Sequence, residues 1–167
     1  MNNFRLPSEV LAFRNWLAPD FFRISISDEE NNMYNINALR EQDDDIFELN
    51  IEYYCERTTV LLTIHCLKEI NPEKYHFCME LLNYLNTHNN EVNFSLNPET
   101  MRLSCSQTIG FADWEANSEQ LTDRLYIYTS CSLDDLKEIS RVLEENIGIV
   151  EAVHRTIGEV PVFVEPK

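Results

Sequence analysis

Apolar and polar positions along this chain change period several times, and each change marks an element. From Ser8, Val10, Leu11, Arg14 and Leu17 recur at helical spacing, and Phe13 and Trp16 add apolar surface. Ser8 stands where an N-cap would, with Glu9 in the first turn, and Pro19 stops the helix. From Phe22 to Ser27 the period becomes two, because Phe22, Ile24 and Ile26 alternate with Arg23, Ser25 and Ser27. A weaker strand is expected over Met33 to Leu39, through Tyr34 and Ile36. Phe47, Leu49, Ile51 and Tyr53 then alternate with Glu48, Asn50 and Glu52, and Thr58 to Leu67 is rich in β-branched residues. Such alternation predicts an antiparallel meander with one solvated face.

The period returns to helical after Asn71. That residue is a candidate N-cap, Pro72 occupies the first helical position and Glu73 follows. Tyr75, Cys78, Met79, Leu82 and Leu85 form one apolar stripe, which predicts a helix to about Asn86. A hairpin follows, with Val92, Phe94 and Leu96 on one strand and Met101, Leu103 and Cys105 on the other. Its turn, Asn97-Pro98-Glu99-Thr100, combines a proline that presets a dihedral with an asparagine that can bond the backbone ahead.

Thr108 to Gln120 reads as a longer connection and Asp123 to Thr129 as a further strand. Ser132 is then a candidate N-cap for a last long helix. Asp134 and Asp135 suit its positive end, and Leu133, Leu136, Ile139, Leu143 and Ile147 supply its buried stripe. Gly148 either breaks that helix or lets it continue through Val150, Val153 and His154. The apolar tail Val160 to Val164 could add to or cover a sheet edge. The expectation is one α+β domain over residues 1–167, an antiparallel β-sheet with helices packed on one face, in the order α-βββ-α-βββ-α.

Composition removes several functional classes. Hydrophobic residues make up 44% and aromatic residues 11%, too much for a disordered chain. Only three glycines occur, which excludes the glycine-rich phosphate-binding loops. Acidic residues number 29 against 13 basic, a formal charge of -16, and such a surface repels phosphate backbones and anionic lipid. Apolar runs are short, and the start Met1-Asn2-Asn3-Phe4-Arg5 lacks the apolar core of a signal peptide, so a cytoplasmic location is expected. The cysteines Cys55, Cys66, Cys78, Cys105 and Cys131 form no C-x-x-C motif and are expected to act as small apolar residues.

The predicted order of elements resembles the type III secretion chaperone-like fold and, within it, the bacterial YbjN-like family. Asn71 to Asn146 carries the resemblance, through Leu81-Leu82-Asn83-Tyr84-Leu85-Asn86, Val92-Asn93-Phe94-Ser95-Leu96, the turn at Asn97-Pro98-Glu99-Thr100, Met101-Arg102-Leu103 and Ser132-Leu133-Asp134-Asp135-Leu136. The resemblance implies a small, acidic, cytoplasmic and usually dimeric protein that is not an enzyme and binds an extended segment of a partner. The family has no chemical motif, so no binding residue carries over.

Candidate chemistry is sparse. His65 and Cys66 are adjacent on a strand and point to opposite faces, and His76 and Cys78 diverge on a helix. A metal site shared by Cys55 and Cys66 would have to be assembled from distant strands. Asp43-Asp44-Asp45 lacks the alternation and central glycine of a calcium loop and reads as a solvated charge run. No serine sits in a G-x-S-x-G turn, and Glu144, Glu145 and Glu151 are expected to face water. Arg124, Tyr126 and Tyr128 would share one face of the expected strand, better suited to a protein surface than to stacking bases.

No catalytic, cofactor-binding or metal-binding residue is therefore assigned, and no cofactor is expected. The expectation is a non-enzymatic protein-binding domain, chaperone-like or regulatory, with a protein partner at an apolar helix face or sheet edge and a possible homodimer, and with no nucleic-acid or membrane partner. The alternative is a small hydrolase or ligand-binding domain whose site gathers His65, His76, His88 and His154 with carboxylates. An inhibitor that mimics nucleic acid by its charge ranks third.

Overall fold

The computed structural model describes residues 8–29, 33–54, 59–88, 91–110 and 118–157. Their order is α1 (Ser8–Leu17), β1 (Phe22–Glu29), β2 (Met33–Gln42), β3 (Asp45–Tyr54), β4 (Thr59–Glu69), α2 (Tyr75–His88), β5 (Asn93–Asn97), β6 (Arg102–Gly110), α3 (Ser118–Glu144) and α4 (Ile149–Ile157), with a 3₁₀ turn at Pro72–Lys74 leading into α2. This is an α+β fold. Its six-stranded antiparallel sheet has the order β1-β2-β3-β4-β6-β5.

The period-two pattern decides which face is buried. Ile36 opposes Ile51, which opposes Leu62; Leu49 opposes Ile64, which opposes Cys105, which opposes Phe94. All of these are buried, together with Val10, Phe13 and Leu17 of α1, Leu81, Leu82 and Leu85 of α2, Leu136, Ile139 and Leu143 of α3, and Ala152 and Val153 of α4. They form one core cluster. The alternate sheet positions are mixed, with Phe22, Leu39, Ile46 and Leu61 among them, but Ser25, Asn37, Asn50, Thr63, Ser106 and Asn93 make one continuous polar row across all six strands. Helices therefore cover one face and the other stays open.

Local chemistry sets the ends of elements. The Asn71 side chain accepts a hydrogen bond from the Glu73 N–H at 3.0 Å, as a cap should. Asn97 Oδ1 accepts from the Glu99 and Thr100 amides at 2.9 and 3.1 Å, which fixes the β5–β6 turn. Asp43 and Asp44 have φ of 51° and 70° between the paired residues Gln42 and Asp45. The run read as a charged loop is thus a two-residue hairpin turn of the primed kind, whose twist matches that of the strands.

The arrangement differs from the expected order in both strand groups. The first holds four strands and the second two. Asp123 to Thr129 is not a strand but part of α3, a single helix of 27 residues. Its buried positions Leu125, Thr129, Ser132, Leu136, Ile139 and Leu143 recur at helical spacing. Two of them, Thr129 and Ser132, are small polar residues, so the apolar stripe is interrupted in the sequence though continuous in space. Ser132 is mid-helix rather than a cap, and it hydrogen-bonds the Cys105 thiol of β6. The chain does break at Gly148, whose carbonyl accepts the Ala152 N–H at 3.0 Å as α4 begins. Phe111, Trp114 and the tail Val160 to Val164 lie outside the described residues.

Candidate functional site

The four histidines are not brought together. His65 lies on the open face of β4, between Glu48 of β3 and Ser104 of β6. His76 and His88 sit at opposite ends of α2, and His154 is exposed on α4. His88 donates through Nδ1–H to the Tyr84 carbonyl at 2.9 Å and stacks on the Tyr84 ring at 4.2 Å. Cys66 points into the core while His65 points out, as strand alternation requires. Cys55 lies outside the described residues, so the pairing with Cys66 is not described either. Among the described residues, no group of three or more His, Cys, Asp or Glu side chains could hold a metal ion.

Four of the carboxylates singled out in sequence, Asp43, Asp45, Glu144 and Glu145, are paired with cations. Glu144 meets Lys68 at 2.5 Å, and Lys68 also reaches Asp45 at 3.7 Å. Lys137 pairs with Asp43. Glu145 pairs with Arg155, whose guanidinium holds the Glu145 carboxyl below its usual range. Asp135 is pushed the other way, upward, by burial and by neighbouring Asp134. Arg124, Tyr126 and Tyr128 do not all share one face, because they lie on a helix: Arg124 and Tyr128, four residues apart, are neighbours, and Tyr126 diverges from both.

Among the described residues, three concavities stand out as candidate sites. The largest of the three, about 690 Å³, lies on the open sheet face beside the β5–β6 turn. Glu48, His65, Ser104 and Ser95 line it as one row across β3, β4, β6 and β5. A carboxylate, an imidazole and a hydroxyl stand there in the order of a hydrolytic triad. No hydrogen bond joins Glu48 to His65 or His65 to Ser104, and the Ser104 hydroxyl bonds Ser95 at 2.8 Å instead. Nucleophile activation needs a base within hydrogen-bond reach, and this row does not supply one.

The second concavity, about 520 Å³, runs between α2 and α4. Tyr84 and His88 form one wall, Ile149, Val150 and Val153 the other, and Glu80 stands at the rim. Ala152 and Val153 are buried, whereas Val150 is 66% exposed. The third, about 480 Å³, is a polar notch where β5 begins.

The two sheet edges are managed differently. On β5, Asn86 of α2 donates from Nδ2 to the Phe94 carbonyl and accepts at Oδ1 from the Phe94 N–H, both at 2.7 Å. One side-chain amide thus takes the place of a neighbouring strand's peptide. On β1, register is irregular between Phe22 and Ser25, and Arg23 has φ 53°. That bulge shortens the length of edge able to accept a further strand.

Sequence reasoning missed the α2–α4 groove, Asn86 and the notch. Val150 was the one available signal, since α4 carries one more apolar residue than its buried stripe uses. No helix among the described residues is long and apolar enough to cross a membrane. No family model and no curated protein matches this chain.

Proposed function

We propose that this chain is a non-enzymatic protein-binding domain, chaperone-like or regulatory, that takes an apolar segment of a partner protein between α2 and α4. The exposure of Val150 supports this reading most directly. An apolar side chain two-thirds exposed within a concave, mainly apolar groove is ready to exclude water on contact. Glu80 at the rim and the overall charge of -16 favour a segment that also carries basic residues. The reading keeps to a secretion-chaperone or YbjN-like protein acting in the cytoplasm, with a second copy of the chain as the competing occupant of the groove.

Val150→Glu tests it. The side chain is mostly exposed, so the variant should fold with stability within about 0.5 kcal/mol of wild type. Immobilised wild-type protein is expected to retain a partner whose bound segment maps as apolar and basic, and the variant to lose it. Light scattering reads the competing occupant: a wild-type dimer that becomes monomeric in Val150→Glu places a second copy in the groove. Equal retention of the partner by both proteins would remove the groove from the account.

A further inference from the structure

The sheet loses its regular register where β4 passes the start of β6. His65 pairs with Ser104 and Glu69 with Arg102, so β4 takes four steps where β6 takes two. Extra residues of this kind bend a strand and re-aim its side chains. Beside the bend, Met101 holds φ 53°, a left-handed backbone that a side chain disfavours. Its N–H donates to the Asn97 carbonyl at 2.8 Å and its carbonyl accepts the Ile70 N–H at 2.7 Å, which fixes it between the turn and the end of β4. Bulges and strained residues gather where a fold shapes a site. The concavity of about 690 Å³ lies between this bend and the β5–β6 turn.

Its lining holds both signs of charge, set apart. Glu48 stands on β3 and Arg102 on β6, with His65 and Leu67 of β4 between them. Two strand spacings across and two residues along put the two α-carbons about 12 Å apart. No ion pair joins Glu48 to Arg102, and among the described residues neither Glu48 nor His65 has a hydrogen-bond or ion-pair partner. Arg102 has a side chain 41% exposed, and its contact with Glu69 is 3.5 Å, long for a charge-assisted bond. Both charges are therefore open to a ligand. A free anion would meet Glu48 and Glu99 inside a protein of charge -16. A simple cation would meet Arg102. A molecule with both charges and no net charge avoids both conflicts.

We propose that this concavity binds a small zwitterion of the α-amino-acid class, free or as a dipeptide, with its ammonium on Glu48, its carboxylate on Arg102 and its side chain against Leu67. A charge-assisted bond of about 2.8 Å at each end, plus the ligand's own length, fills a span that the two long side chains close by leaning inward. His65 and the Ser104 hydroxyl, which already bonds Ser95 at 2.8 Å, supply further hydrogen bonds along the bridge. The site lies on the sheet face away from the helices, so it does not depend on the α2–α4 groove.

Amide NMR of the full chain at low ionic strength tests the proposal, with leucine, leucinamide and N-acetylleucine as probes. Leucine should shift the His65, Leu67 and Ser104 resonances to saturation. Leucinamide lacks the carboxylate and N-acetylleucine the ammonium, and each should bind about tenfold more weakly or worse, the loss of one charge-assisted contact. Glu48→Gln should weaken leucine about tenfold and leave the residual binding of N-acetylleucine unchanged. Arg102→Gln should weaken leucine similarly and leave that of leucinamide unchanged. Both positions face away from the core, and unchanged resonances of α2 and α3 check that each variant folds. Leucyl-leucine binding more tightly than leucine assigns the site to peptides, and equal or weaker binding assigns it to the free amino acid. No saturation by leucine, equal binding of the two capped analogues and leucine, or undiminished leucine binding in Glu48→Gln would overturn the proposal.

Discussion

Two hydrogen bonds of 2.7 Å hold the outward N–H and C=O of Phe94, and both come from the Asn86 side chain. Removing them leaves two backbone groups without partners and bares an edge that can pair with another chain. Asn86→Ala is therefore expected to lose about 1–3 kcal/mol in urea unfolding. Light scattering should also show slow self-association that wild type lacks. Asn86→Asp should recover only part of the stability, since a carboxylate accepts from the N–H but repels the carbonyl. The cysteines make a second residue-scale prediction. Burial pushes the Cys78 and Cys105 thiols up to about 12, and Cys66 also upward. A folded-state value above the unfolded 9.0 means the folded form holds its proton longer. The stability these groups contribute is complete below pH 9 and is lost as pH rises towards 12. Equilibrium unfolding across pH 8 to 12 should show that decline. In native protein at pH 8, Cys131 should label while Cys66, Cys78 and Cys105 stay protected, because Cys131 is exposed and those three are buried.

Elements with local punctuation were readable before any coordinates. Asn71 with Pro72 opened α2, Asn97 with Pro98 turned β5 into β6, and the alternation through Phe47 to Tyr53 oriented β3, because each signal acts within a few residues. Helix α3 was not readable over its first half. Leu125 and Ile127 alternate with polar neighbours as a strand would, and the evidence for a helix lies in the burial of Thr129 and Ser132 against other elements. The hairpin turn at Asp43 and Asp44 was hidden differently, since a charge run does not reveal that both residues adopt left-handed backbone. The α2–α4 groove needed the break at Gly148 and the return of α4 onto α2, which no local pattern specifies. The reading of α3 can be tested with Cys131→Pro. In a continuous helix, proline at this exposed position removes a hydrogen bond and clashes one turn back, and should cost about 3 kcal/mol or more in urea unfolding. Were Ser132 a cap, proline just before it would cost little.

At the scale of the whole molecule, charge and architecture act together. With 13 basic residues against 29 acidic, ion pairs such as Lys68 with Asp45 and Glu144 engage only part of the negative charge. Exposed pairs of this kind contribute at most about 1 kcal/mol each, so self-repulsion should dominate the salt response. The melting temperature is expected to rise between about 10 mM and about 200 mM salt as the Debye length shortens. A fall would show that the surface pairs dominate instead. The fold buries one sheet face, leaves the other open, closes the β5 edge with Asn86 and bulges β1. Between α2 and α4 it leaves an apolar groove. Photo-crosslinking from position 150 tests the central claim most directly. A photoreactive phenylalanine analogue replaces Val150 in one protein and, as a control, Asp44 on the β2–β3 turn in another, and both are irradiated in the source cells. The account predicts a discrete polypeptide adduct from position 150, joined through an apolar, basic segment, and none from position 44. No adduct at 150, or the same adducts from both positions, would contradict it.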